Sequence, residues 1–274
     1  MALGVRVGGT SGIPDVGYFF VSLLNAAARA AADRGYGLMV TTPELDESLL
    51  VDGLLVVDPL TEDELAVPLG NGLPLVTVGR SPIRHTDVPS VDVDHAHSLT
   101  PMLDHLGEVA RSGRALMISP EKRPSYVRDI ESAFTAWCTN NGRDHRVAVC
   151  RDDVDSVSDL VVADIQAHGG PQSILIGVLD RHAAWAQRAI LNAGFGVPDE
   201  TVVAAATDGE SLRLVEPSIT ALDLDGGAHG SAAVELLLAL VDSPAVRPAN
   251  TLIPARFTVR ASSGGYSRAF ARSG

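Results

Sequence analysis

Residues 3–41 read LGVRVGGTSGIPDVGYFFVSLLNAAARAAADRGYGLMVT, and their order of patterns decides the fold class. Leu3 to Val7 is a short apolar run. From Asp15 to Arg34 the apolar residues Phe20, Leu23, Leu24, Ala27 and Ala31 recur at helical spacing and mark one buried face. Gly35 ends the helix, and Gly37 to Thr41 is a second strand. Outward from this unit, Leu54 to Val57 and Leu73 to Val78 are further strands, leucine-rich or β-branched without strict alternation, as in parallel sheets covered on both faces. A second series follows. Helices are expected at Ser98 to Ser112, Ser125 to Asn141, Ser156 to His168 and His182 to Ala193, and strands at Ala115 to Ser119, Val147 to Cys150, Ser173 to Val178 and Thr201 to Ala205. Two such series, each long enough for its own core, predict an α/β protein of two doubly wound parallel-sheet lobes. The rhythm breaks near the end. There Ile219 to Leu224 and Thr251 to Val259 read as strands around a helix at Gly230 to Val241, and these segments are expected to cross between lobes. Residues 265–274 read as a flexible tail.

Composition narrows the function classes. The 274 residues are 46% hydrophobic and carry 34 acidic against 21 basic side chains, a formal net charge of −13. The basic residues form no long run, so duplex DNA binding by this chain alone is not expected. Cys138 and Cys150 have no metal-site spacing and read as ordinary buried thiols. Met1 to Val7 lacks the features of a secretory signal, and no apolar run approaches the roughly 18 residues of a membrane span. A cytoplasmic address without membrane association is the expectation.

Several segments, taken in order, resemble the effector-binding half of lactose-repressor/galactose-repressor family regulators from Leu3 to about Ser263. They are Val51-Asp52-Gly53-Leu54-Leu55-Val56, Leu73-Pro74-Leu75-Val76-Thr77-Val78-Gly79-Arg80, Ser90-Val91-Asp92-Val93-Asp94 leading to His105-Leu106, Ala193-Gly194-Phe195-Gly196-Val197-Pro198, Glu216-Pro217-Ser218-Ile219-Thr220 and Ile253-Pro254-Ala255-Arg256-Phe257-Thr258-Val259-Arg260-Ala261-Ser262. The resemblance implies a type I periplasmic-binding-protein-like fold joined by three crossovers, a small-molecule effector in the interlobe cleft, and a homodimer. It places the N-terminal lobe at 1–93 plus 225–250 and the C-terminal lobe at 94–224 plus 251–264. Operator DNA would be read only through a helix-turn-helix that this chain does not contain. The sequence departs from the family pattern in three places: a short stretch at Glu44 to Val51, Ile130 with Arg128 two residues before it where an arginine is common, and Leu179-Asp180 in place of an Asn-Asp pair.

Candidate site residues follow from chemistry and from strand ends. Tyr18, Phe19 and Phe20 cluster in a chain that is 4% aromatic, with Tyr18 and Phe19 as a ligand-stacking platform and Phe20 more suited to the core. Asp58, Arg80, Asp180 and Asp208 follow or end apolar strands, where doubly wound sheets bind ligands; for the carboxylates, capping the next helix is the alternative role. Arg128 joins them from a helix start. Asp92-Val93-Asp94-His95-Ala96-His97 alternates acids and imidazoles but is better read as a helix cap with histidines on an exposed first turn than as a metal site. The run Gly8 to Gly12 is neither a P-loop nor a dinucleotide fingerprint and reads as a strand-to-helix loop. No cofactor or metal is expected. Three function classes remain: a regulator's sensor of a small polar metabolite, sugar-like or nucleoside-like; a transport-associated solute-binding protein of the same fold; and an enzyme, for which no catalytic motif is present.

Overall fold

The computed structural model describes residues 1–8, 17–41, 51–83, 88–110, 113–243 and 249–264. The tail 265–274, most of the Gly8 to Gly12 loop and most of the Glu44 to Val51 stretch lie outside the described residues. The chain forms two compact units, Met1–Asp94 with Lys122–Tyr126 and Asp225–Pro254, and His95–Glu121 with Val127–Leu224 and Ala255–Gly274.

The first unit holds β1 (Ala2–Val7), α1 (Tyr18–Asp33), β2 (Gly37–Val40), β3 (Gly53–Val57), α2 (Asp63–Gly70), β4 (Leu75–Val78), β5 (Ser90–Asp92), α8 (Gly226–Asp242) and β11 (Thr251–Leu252). Its sheet runs β11-β5-β4-β3-β1-β2 with every pairing parallel. Leu23, Ala27 and Ala31 of α1 and Val234, Leu237 and Leu238 of α8 share one core with Leu3, Val5, Leu55 and Val76. Each fully buried leucine or valine there contributes roughly 1.5–3 kcal/mol. The two helices come so close that a Cβ on Gly230 would lie 2.2 Å from the Leu23 carbonyl oxygen. On the other face Leu65 of α2 packs on Leu54, Val56 and Leu75.

The second unit holds α3 (His95–Val109), β6 (Ala115–Pro120), α4 (Ser125–Asn140, whose first two residues group with the first unit), β7 (His145–Cys150), α5 (Val154–His168), β8 (Ile174–Gly177), α6 (Asp180–Asn192), β9 (Val202–Ala205), α7 (Glu210–Leu214), β10 (Thr220–Asp223) and β12 (Arg256–Thr258). The sheet order is β12-β10-β9-β8-β6-β7, parallel except for the antiparallel edge strand β12. Val157, Val161, Ala186 and Ile190 of α5 and α6 pack on Leu116, Ile118, Leu175 and Val203. Leu103, Leu106, Ile130 and Phe134 of α3 and α4 are wholly buried, and the Trp137 indole donates to Asp104 Oδ1 at 2.8 Å, tying those two helices together.

Four details differ from the sequence reading. Thr251 to Val259 is not one strand: β11 pairs with β5 in the first sheet and β12 with β10 in the second. Pro254 between them has no N–H to give a ladder. The helix α2 contains Pro68, which masks its short apolar period. His95 opens α3 buried at 3% exposure, so only His97 is exposed as expected of that turn. Cys138 is buried, and Cys150 is half-buried rather than fully enclosed.

Candidate functional site

Without the edge strands β11 and β12, both sheets have the order second, first, third, fourth, fifth strand. Their strand ends therefore correspond. Ligands of such sheets bind beyond the carboxyl ends, where the order reverses between the first and third strands. Asp58 follows β3 and Asp180 opens α6 after β8, the third strands of the two series. Arg80 follows β4 and Asp208 follows β9, the fourth strands. Tyr18 opens α1, and Arg128 lies in the first turn of α4, the helices after the two first strands. The six residues are thus three pairs of equivalent positions, each unit carrying one set on its own carboxyl edge.

In the first unit Tyr18 is 44% exposed while Phe20 enters the core. Phe19, between them, is half-buried, its ring edge-on to the His229 imidazole with centroids 5.3 Å apart. Asp58 takes the left-handed backbone conformation, φ 50°, and its N–H donates to the Val78 carbonyl at 2.8 Å. Its side chain leans over the next strand end. A Cβ on Gly79, itself at φ 87°, would lie 2.9 Å from Asp58 Oδ1, so glycine leaves the carboxyl its place. Burial, and then the neighbouring Asp92 carboxylate, push the Asp58 carboxyl up to about 7. At neutral pH that group is close to half protonated and can both donate and accept a hydrogen bond. Arg80 is exposed, and its backbone N–H donates to Ser125 Oγ at 3.1 Å.

The second unit spends its carboxylates differently. Asp180 is anchored by its backbone N–H, which donates to Thr207 Oγ1 at 3.0 Å, while Oδ1 accepts from the Arg181 N–H at 2.8 Å. Asp208 is buried. Arg260 donates to its two oxygens at 2.9 and 2.6 Å, and Arg213 adds a third bond at 2.9 Å. Burial works against the Asp208 charge, but the two arginines outweigh it and hold the carboxyl below the usual range. Nearby, Asp152 accepts from Arg181 Nε at 2.6 Å and from Arg181 Nη2, with His182 Nε2 3.3 Å from Oδ1. Its carboxyl is likewise held low, against burial, by Arg181 and His182. Arg128 is exposed, and its carbonyl accepts from Ser132 Oγ at 2.7 Å.

Sequence reasoning missed Asp92 as the neighbour that tunes Asp58, and Arg260 as the partner of Asp208. Arg260 stands 52 positions from Asp208, a separation that no local pattern signals. The helix-capping alternative holds for two other aspartates: Asp153 Oδ1 accepts from the Ser156 N–H, and Asp225 Oδ1 from the Ala228 N–H. Among the described residues no three His, Cys, Asp or Glu side chains gather as a metal site.

No curated protein matches the chain. Among solved structures, a LacI family transcriptional regulator from an Arthrobacter species is similar at 20% identity and TM-score 0.79, covering 96% of this chain and 99% of that one. One from Bifidobacterium animalis is similar at 18% identity and TM-score 0.81, covering 96% and 97%. A complex of the transcriptional regulator CelR with cellobiose is similar at 17% identity and TM-score 0.82, covering 95% and 84%. At these identities the likeness is one of fold. The family described as periplasmic binding protein-like domain matches residues 108–263, more than half of the chain, and the chain belongs to that family.

Proposed function

We propose that this chain is the effector-sensing domain of a transcription regulator that acts in the cytoplasm as a homodimer. Operator DNA would be bound by a helix-turn-helix outside the 274 residues. The observation that carries the reading is the pairing of polar residues at equivalent strand ends of the two sheets. One small polar metabolite is proposed to take contacts from both sets: Tyr18 and Phe19 for stacking, Asp58, Arg80, Arg128 and Asp180 for hydrogen bonds. Asp208 acts through Arg260, fixing the end of β9 rather than touching ligand. A sugar-like ligand is favoured over a nucleoside-like one. A half-protonated Asp58 suits hydroxyls that donate and accept, and a protein of this fold has been solved with cellobiose. No enzymatic step is assigned. Ligand binding would favour one arrangement of the two units and so bias the attached DNA readers.

The test is a thermal-shift screen of sugars, sugar phosphates and nucleosides, followed by calorimetry on the best hit. A ligand at about one hundred times its Kd adds roughly 2.7 kcal/mol to the folded state. Arg80→Ala and Asp180→Ala are each expected to weaken binding at least tenfold, about 1.4 kcal/mol. Affinity within about twofold of wild type in both folded variants would remove these side chains as contacts. Sedimentation at tens of micromolar tests the dimer, and a monomer there counts against it.

A further inference from the structure

The register of the first sheet sets four strand-end residues in one row. Val7 pairs with Val57, Val57 with Val78, and Val78 with Val91, so the next residues along, Gly8, Asp58, Gly79 and Asp92, lie side by side at the carboxyl edge. Ladder bonds pin the row: Gly8 N–H donates to the Val57 carbonyl at 2.7 Å, Asp58 N–H to Val78 at 2.8 Å and Gly79 N–H to Val91 at 2.8 Å. Glycines thus alternate with aspartates, and Asp58 demands both glycines. A Cβ on Gly8 would lie 2.4 Å from the Asp58 carbonyl oxygen, and one on Gly79 2.9 Å from Asp58 Oδ1. We infer that Asp58 and Asp92 share one proton across Gly79, and that a neutral effector takes up a proton as it binds this edge, a coupling that rests on the effector-sensing function proposed above.

Spacing makes the two acids a pair. Asp58 Oδ1 stands over the place a Gly79 side chain would fill, one strand spacing, roughly 4.8 Å, from where the Asp92 side chain starts. Carboxylates that close do not both ionise readily, and one proton serves the two. Burial, and then Asp92, bring the Asp58 carboxyl to about 7. Other charged groups reach the surrounding elements. Arg80 after β4, Lys122 and Arg123 before Ser125, and Asp225 before α8 are all exposed, where solvent screens them. Glu64 of α2 accepts from the Leu60 N–H at 2.8 Å, and His229 of α8 has Nδ1 3.0 Å from the Asp225 carbonyl. Among the described residues Asp92 is the charged one that acts on the Asp58 carboxyl.

Seating a neutral effector on the row strips solvent from both acids and disfavours their doubly charged state, so the complex holds the proton more firmly than the free chain does. Affinity therefore falls as pH rises through about 7. A cationic ligand would do the reverse, standing in for the proton and binding more tightly at higher pH.

The free chain is titrated first, with isotope-labelled aspartate carboxyls read by NMR. One carboxyl is expected to titrate at about 7, to vanish in Asp58→Asn and to titrate lower in Asp92→Asn. No aspartate titrating above about pH 6, or no movement in Asp92→Asn, would overturn the shared proton whether or not any effector binds. Calorimetry then measures affinity for a panel of neutral hexoses, pentoses and disaccharides at pH 6 and pH 8. Wild type is expected to bind at least about threefold more weakly at pH 8, with about tenfold as the limit for one proton. The difference is expected to shrink in Asp92→Asn and to disappear in Asp58→Asn. Equal wild-type affinity at both pH values would overturn the coupling and leave the effector-sensing function standing. Tighter binding at pH 8 would overturn proton uptake. Absence of saturable binding by every sugar at both pH values would overturn the coupling together with the function it rests on.

Discussion

Both carboxyl edges of this protein carry aspartates, and the two edges give them opposite chemistry. Asp58, after the third strand of the first unit, lies beside another acid and is pushed up to about 7. In the second unit Asp208 is enclosed by Arg260 and Arg213, and Asp152 by Arg181 and His182; both are held below the usual carboxylate range. Desolvation acts on all three. What differs is the sign of the nearest neighbour, and that decides whether a desolvated acid holds its proton or stays a charged strut. The first edge keeps a carboxyl able to respond to pH, and the second has committed Asp152 and Asp208 to structure.

The sharpest way to break that contrast is Arg260→Met. It leaves Asp208 buried with the half-exposed Arg213 as its remaining partner, and removing one member of a buried pair costs about 3–5 kcal/mol. Urea denaturation of Arg260→Met beside the double variant Asp208→Asn/Arg260→Met reads it, and the double variant is expected to recover much of the loss. A single-variant loss below about 1 kcal/mol would show the network to be dispensable.

Asp58→Asn tests the other edge with the opposite sign. The folded protein keeps a proton on Asp58 that the unfolded chain, with its ordinary value of 3.8, has already released. Wild-type stability from this group therefore falls as pH rises from about 4 to about 7, then levels. The amide variant lacks that fall. Its stability relative to wild type is expected to improve by roughly 1–3 kcal/mol between pH 4 and pH 8, the lower end if the partly exposed carboxyl is well screened. Denaturant midpoints across that range decide it, and parallel curves would refute the raised value.

Two smaller effects probe how the second edge uses its acids. Asp153 caps α5, its Oδ1 accepting from the Ser156 N–H at 2.8 Å, and Asp153→Ala is expected to lower the thermal unfolding midpoint. Arg181→Ala, at a pair about one third exposed on each side, is expected to cost roughly 0.5–1 kcal/mol at pH 7. That cost belongs to a lowered carboxylate. It is full above the unfolded value of 3.8 and fades as pH falls below it, so wild type and variant should draw together as pH falls below about 4.

The sequence made the sheets legible because parallel strands buried on both faces are unbroken apolar runs. Leu54 to Val57 and Ala115 to Ser119 name themselves this way, and α1 and α4 carry clean helical periods. The strand-end residues were legible too, since a charged side chain after such a run has few places to go. What each one does there was not. Asp58 and Asp208 look alike in sequence, and their fates rest on Asp92 and Arg260, 34 and 52 positions away, brought near only by sheet order.

The left-handed backbone at Asp58 carries a consequence for how the protein changes over generations. Glycine would sit there without the side-chain crowding that a positive φ imposes, and would also remove the acid whose charge the fold disfavours. Directed evolution for heat resistance alone, with no effector supplied, should therefore discard Asp58 among the first positions. Selection that alternates heat with a demand for the proposed effector response should retain it, and the ratio of its survival under the two regimes would measure how much foldedness the proposed ligand contact costs.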